Sequence, residues 1–396
     1  MTAEGAPART LPASDEILER LIGFDTVSRN SNRALIDFIA DLLDDHGVKA
    51  EIQLSDDGRK ANLFATIGPE DVGGIILSGH TDVVPVDEQP WTVDPFRLSR
   101  KDGRLYGRGT ADMKGFIAVV LACVPYFTQR RLKTPIHLAF SYDEEVGCLG
   151  VRPLIAALRE RPVRPRGCII GEPTEMRLVT GHKGKLAVRC DVRGLACHSA
   201  HAPDGVNAVE YAAELIHRIR AIARREESGG ERSADFDPPF ATIQCGVVSG
   251  GTAVNIVPDR ARFDFEARVL PGQSAEALVD EVKRFAAEEL VPDMRRRWQG
   301  ADILFSELSS YPGLACPADT PLVAFVRELT GANKTGTVSF GTEGGLYDEA
   351  GIPTVVCGPG SMAQGHKPDE YVTLDQLRRC EDMLRRLADR LEEVGL

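Results

Sequence analysis

Four times in the 396-residue chain, a short and mostly apolar run reaches a small residue and is followed by an acid or a histidine. The first is Ile75-Ile76-Leu77-Ser78-Gly79-His80-Thr81-Asp82. The second, richer in glycine, is Leu105-Tyr106-Gly107-Arg108-Gly109-Thr110-Ala111-Asp112. Ile136-His137-Leu138-Ala139-Phe140-Ser141 leads to Tyr142-Asp143-Glu144-Glu145, and Gly167-Cys168-Ile169-Ile170-Gly171 to Glu172-Pro173-Thr174. Short apolar runs fenced by turn residues read as buried strands of a mostly parallel sheet. Functional groups of such sheets gather beyond the carboxyl ends of the strands. The pattern therefore predicts an α/β domain, with a mostly parallel sheet flanked by helices and its site at that end.

Each motif alone leaves two readings open. In extended geometry residues i and i+2 face the same way, so the Asp82 carboxylate is expected beside the His80 ring, fixing the tautomer of a metal-binding imidazole. The alternative is a plain strand-end hydrogen bond. Asp112 precedes an apolar helix expected over 116–124, and is either a metal ligand or a helix cap. The Gly107-x-Gly109 pair lacks the third glycine of a dinucleotide fingerprint, and no Gly-Lys-Ser/Thr occurs, which argues against a nucleotide-binding oxidoreductase. Three consecutive acids, Asp143-Glu144-Glu145, repel one another unless solvated or coordinated. A further apolar run, Ile352 to Gly360, has a loop carrying His366. Two histidines and three or four carboxylates from separate strand ends form a mixed N/O set suited to a dinuclear zinc-type site.

The length predicts two domains. A formal charge of −12 argues against nucleic acid and anionic membrane as partners and is compatible with cationic small substrates. Nine cysteines without a Cys-x-x-Cys pair give no disulfide or zinc-finger framework. With no apolar stretch of membrane-spanning length and no signal-peptide pattern at Met1-Thr2-Ala3-Glu4-Gly5, a cytoplasmic protein is expected. Residues 2–13 read as a loose leader. Ser14 reads as the cap of a first helix, followed by a second helix near 31–46 and strands at 48–54 and 62–67. The loop 85–97, with Trp91 and Phe96, reads as surface packing. The pattern changes near Gly184 to half-exposed strands alternating with helices, an inserted α+β domain over 184–308. The expected catalytic domain is then discontinuous, 1–183 and 309–396.

In these motifs the chain resembles the M20 family of dinuclear-zinc amidohydrolases, and within it the acetylornithine deacetylase branch. Ser-Gly-His80-Thr-Asp82, Gly-Arg-Gly-Thr-Ala-Asp112-Met-Lys-Gly, Asp143-Glu144-Glu145, Gly-Glu172-Pro-Thr and His366-Lys-Pro-Asp-Glu match the family's motifs in order across nearly the whole chain. The resemblance implies a zinc-exopeptidase-like catalytic domain and two divalent metal ions, Zn²⁺ or Co²⁺. Asp112 would bridge them, His80 and Glu172 would complete one site, and Glu145 and His366 the other. Glu144 would be the general acid/base and Asp82 the partner of His80. The inserted domain would be a lid that also forms a homodimer.

By the same resemblance His198 would stabilise an oxyanion, commonly from the partner subunit, while His201 has no assigned role. Asn255 and Arg268 match segments that hold a substrate α-carboxylate, which Arg's planar fork suits. Gly341-Thr342-Glu343-Gly344-Gly345 places Glu343 as a candidate to face a cationic side chain, with a helix N-terminal acid as the alternative. The implied reaction is hydrolysis of an N-acyl amino acid, N2-acetyl-L-ornithine foremost. A desuccinylase, another N-acyl-amino-acid deacylase or a di- or aminopeptidase stands as alternative. A catalytically silent metal-binding protein would have no need of Glu144 as a free base.

Overall fold

The computed structural model describes residues 13–393, so the leader expected over 2–13 lies, apart from Ala13, outside the described residues. The chain divides into two compact units, one holding residues up to Thr180, Cys316–Gly336 and everything from Thr342 onward. The other comprises Gly181–Ala315 and Thr337–Gly341.

The first unit is built on a mixed, mostly parallel sheet. Six of its nine strands are β1 (Ala50–Leu54), β2 (Ala61–Ile67), β3 (Ile75–His80), β4 (Ile136–Ser141), β5 (Gly167–Pro173) and β6 (Thr354–Gly358), in the order β1-β2-β4-β3-β5-β6. β3 runs parallel to β4 and β5, and β5 parallel to β6, whereas β1 and β2 are antiparallel additions at one edge. Side chains of β3, β4, β5 and β6 are buried throughout, which is why these strands read as continuous apolar runs. Helices α1 (Ser14–Ile22) and α2 (Arg33–Asp44) each bury one apolar stripe. Ser14 lies inside α1 and Ala13 occupies the cap position without a side-chain bond, so the expected serine cap is not formed.

Helix α3 (Lys114–Thr128) extends beyond the expected 116–124 and is buried on nearly every side. Two strand glycines allow it to lie close. A Cβ at Gly79 would come within 2.9 Å of Met113 Cε, and one at Gly171 within 1.9 Å of the Phe116 ring. A side chain at Gly171 would push α3 off the sheet, while one at Gly79 would crowd the end of Met113; Asp112 sits two residues before that helix. The glycines ahead of His80 and Glu172 are thus packing requirements of the helix that follows Asp112.

The second unit is a four-stranded antiparallel sheet with helices. The strands follow the order Thr242–Gly250, Arg260–Val269, Gly184–Arg193, Asp302–Tyr311. Gly184–Arg193 and Arg260–Val269 alternate buried and accessible residues as a one-faced sheet should. The helices Ala208–Gly229 and Ala275–Phe285 contribute Leu215, Ile219, Val279 and Val282 to a separate core.

Candidate metal centre

At the carboxyl ends of β3, β4 and β5 the strands deliver His80, the Asp143-Glu144-Glu145 turn and Glu172. The approach to α3 delivers Asp112, whose peptide bond to Met113 is cis. His80 Nε2 lies 3.0 Å from Asp112 Oδ1 and 3.6 Å from Glu172 Oε1. His366 Nε2 lies 3.2 Å from Asp112 Oδ2 and 3.0 Å from Glu145 Oε2. Two triads result, His80–Asp112–Glu172 and Asp112–Glu145–His366, each offering ligand atoms within 4.8 Å of one another. Asp112 belongs to both, one oxygen turned to each.

The electrostatics fit cations. Burial raises the Glu172 carboxyl well above its ordinary range, with the nearby Asp112 charge adding to it. Burial and Asp112 likewise push Glu145 up to about 7, and Glu145 Oε1 is buried without a partner among the described residues. Hydrogen bonds to Asp112 and Glu145 push the His366 ring up to about 11. His80 is also raised, since its bond to Asp112 and the charge of Glu172 outweigh burial. Protons on these two rings now meet the carboxylates, at the positions where divalent ions would balance the same charge. A donor set of imidazole nitrogens and carboxylate oxygens suits zinc-class ions.

Asp82 stands beside the His80 ring with both its carbonyl and its carboxylate. His80 Nδ1 donates to the backbone carbonyl of Asp82 at 2.9 Å, while the carboxylate oxygen Oδ1 stands 3.6 Å away. That carboxylate instead accepts from Ser28 Oγ at 2.6 Å and from the amides of Glu144 and Glu145 at 3.1 and 3.4 Å. The carbonyl sets the ring tautomer, and the side chain holds the acidic turn.

Glu144 is partly exposed, like Glu145 next to it, beside the buried His80, Asp112 and Glu172. Burial raises its carboxyl well above the ordinary range, with Glu145 and Glu343 adding to the effect against the pull of His80. The Cys148 thiol donates to its Oε1 at 3.6 Å, a contact that no motif in the sequence signals.

Glu343 stands at the cap position of the helix Gly344–Glu349. Its carboxyl is 1% exposed, accepts from Ser141 Oγ at the end of β4, and is pushed up to about 7 by burial. Arg108 and Glu370, both inside the sequence motifs but expected to carry no role, form a buried ion pair.

His198, Asn255 and Arg268 belong to the second unit. His198 is exposed, and its Nδ1 accepts from the Ala200 amide at 3.1 Å, so the neutral ring carries its proton on Nε2. Exposed Asn255 lies close to it, its carbonyl accepting from the Ser199 amide at 3.0 Å. Arg268 Nε donates to Glu266 Oε1 at 3.0 Å.

Comparison with known proteins follows the same lines. The model of peptidase family M20/M25/M40 matches residues 76–390. An acetylornithine deacetylase of Proteus mirabilis is 35% identical over 386 residues, covering 96% of this chain and 97% of that protein. The chain belongs to the M20 family. As a member it is a hydrolase. A second relative, an acetylornithine deacetylase of Myxococcus xanthus, is 38% identical over 95% of this chain and 97% of its own length. The M20 fold is shared with a metallo-carboxypeptidase of Sulfolobus solfataricus at a TM-score of 0.75 and 17% identity, covering 96% of this chain and 99% of that one. No helix among the described residues of this M20 protein is long and apolar enough to cross a membrane.

Proposed function

We propose that this protein hydrolyses the amide of N-acylated amino acids, with N2-acetyl-L-ornithine, giving ornithine and acetate, as its substrate. The observation that carries the reading is the pair of ligand triads sharing Asp112 with Glu144 alongside, in a chain similar over nearly its full length to acetylornithine deacetylases. His80, Asp112 and Glu172 would hold one divalent ion and Asp112, Glu145 and His366 another, zinc foremost and cobalt as an alternative. Such ions supply Lewis acidity for the acyl oxygen and lower the pKa of water toward roughly 7.

The chain's own groups do the rest. Glu144, with its raised pKa, takes a proton from the attacking water and returns it to the leaving amine. Asp82 holds the Glu144 amide and so its aim. His198, with Nε2–H available, donates to the oxyanion from a partner subunit, the second unit acting as lid and dimerisation domain. Asn255 and Arg268 hold the substrate α-carboxylate, for which Arg268 would exchange its Glu266 partner. The setting is a cytoplasmic homodimer acting on a small molecule, without nucleic acid or membrane. A panel of N-acetyl, N-succinyl and N-formyl amino acids plus dipeptides, run with added Zn²⁺ or Co²⁺, tests the assignment. Acetylornithine should give the highest kcat/KM; a preference for N-succinyl substrates or dipeptides would overturn the substrate and keep the reaction class.

A further inference from the structure

The loops bearing Asp112 and His366 are tied together by a buried ion pair. Arg108 and Glu370 are each 1% exposed, and Arg108 Nη1 donates to Glu370 Oε2 at 2.6 Å. The other oxygen, Glu370 Oε1, accepts from the amides of Gly109, Ala111 and Asp112 at 3.1, 2.9 and 3.1 Å. A carboxylate gathering several backbone amides fixes the curvature of the segment that supplies them. Here that segment ends at the shared ligand.

The guanidinium reaches the other loop. Arg108 Nη2 donates to Gln89 Oε1 at 2.6 Å, and Gln89 Nε2 donates to the carbonyl of His366 at 3.2 Å. Trp91 closes the arrangement, donating Nε1–H to Gln89 Oε1 at 3.0 Å with the guanidinium 5.0 Å from its ring centroid. Asp369 accepts from the Thr92 amide and hydroxyl, both at 2.8 Å. The loop 85–97, expected as surface packing, is a strap across the His366 loop. That loop needs one: His366 and Asp369 have φ of +63° and +54°, conformations that non-glycine residues hold only where the surroundings over-determine them.

We propose that the Arg108–Glu370 pair, with Gln89, is a positioning device that sets the separation of Asp112 and His366 and thereby the affinity of one cation position. The proposal rests on the two-cation reading above. His80 and Glu172 stand on β3 and β5 and depend on the sheet. His366 stands on a loop and depends on this network. Loss of the network disturbs Asp112, which both positions share, and His366, which only one uses; it therefore weakens Asp112–Glu145–His366 more than His80–Asp112–Glu172.

The test titrates metal-free wild type, Glu370→Gln and Gln89→Ala with Co²⁺ alone. Bound metal is counted after desalting, and folding is followed by circular dichroism. Wild type should bind two ions. In Glu370→Gln one binding step should weaken by roughly 10–100-fold, the usual cost of losing a group that orients a ligand, and the other by clearly less. Gln89→Ala should weaken the same step by less. Glu370→Gln strands the Arg108 charge; should that variant fail to fold, Gln89→Ala decides, since it leaves the pair intact. Two unchanged steps, or two equally weakened ones, in a folded variant overturn the proposal. A wild type that binds a single ion overturns the two-cation reading itself.

Discussion

The backbone carbonyl of Asp82 lies 2.9 Å from Nδ1 of His80 and turns Nε2 of the ring toward Asp112. The Asp82 side chain is thereby released for the amides of Glu144 and Glu145. Asp82→Ala keeps the carbonyl and loses only the clamp on the acidic turn. We expect kcat to fall by about 10–100-fold with metal content unchanged. Loss of metal from this variant would return the carboxylate to the role of His80 partner. Ser28→Ala, which removes one bond to the same carboxylate, should act in the same direction and less.

Glu144→Gln should retain both metals and lose turnover by about 10²–10⁴-fold, the range for a positioned acid/base group. Elemental analysis of the purified variant separates the two roles open to Glu144. A variant emptied of metal would make Glu144 a ligand.

His198→Ala should lower kcat by roughly 10²–10³-fold with metal retained, as expected for an oxyanion donor. Mixed with Glu144→Gln under subunit exchange, it tests whether His198 acts across a dimer. One site of each mixed dimer then combines intact Glu144 with the intact His198 of the partner, and activity returns. No rescue in demonstrated heterodimers rejects the in-trans role.

Gly171→Ala should destabilise the protein by about 1–3 kcal/mol, because the new Cβ meets the Phe116 ring and α3 must shift. The shift displaces Asp112, so thermal midpoint and metal affinity should fall together. A midpoint within error of wild type would show that the ring yields.

The share of stability contributed by His182 should fall as the pH is lowered. Burial lowers its pKa from 6.5 to about 4, and its Nδ1 donates to the Lys183 carbonyl at 3.0 Å. The unfolded chain takes up the proton near 6.5 and the folded one only near 4, so the neutral ring's contribution is complete above 6.5 and lost as pH falls toward 4. At pH 5 the loss is about 2 kcal/mol, since each pH unit below the unfolded pKa costs roughly 1.4 kcal/mol until the folded chain also binds the proton. The difference in urea midpoint between wild type and His182→Gln, both metal-free, should shrink from pH 7 to pH 5. A difference constant over that range would exclude His182 as the cause.

The two triads were legible because each ligand follows its own strand or turn within a few residues. Apolar runs declare strands and strand ends declare where groups collect, whereas the choice of His80, Asp112, Glu145, Glu172 and His366 among those groups came from the resemblance to the M20 family. The one-faced strands Gly184–Arg193 and Arg260–Val269 were visible in their alternation for the same local reason. The partner each side chain takes was not legible, since it depends on chain brought from far away. Ser28 meets Asp82 across 54 positions and Arg108 meets Glu370 across 262, and no periodicity within a window records such pairings. Glu343 shows the limit from the other side: its motif announces an acid at a helix start, yet its bond to Ser141, 202 positions away, is set by tertiary packing. Local pattern determined which residues could serve the site; tertiary packing decided which oxygen of Asp82 faces His80, and which loops hold Asp112 and His366 in register.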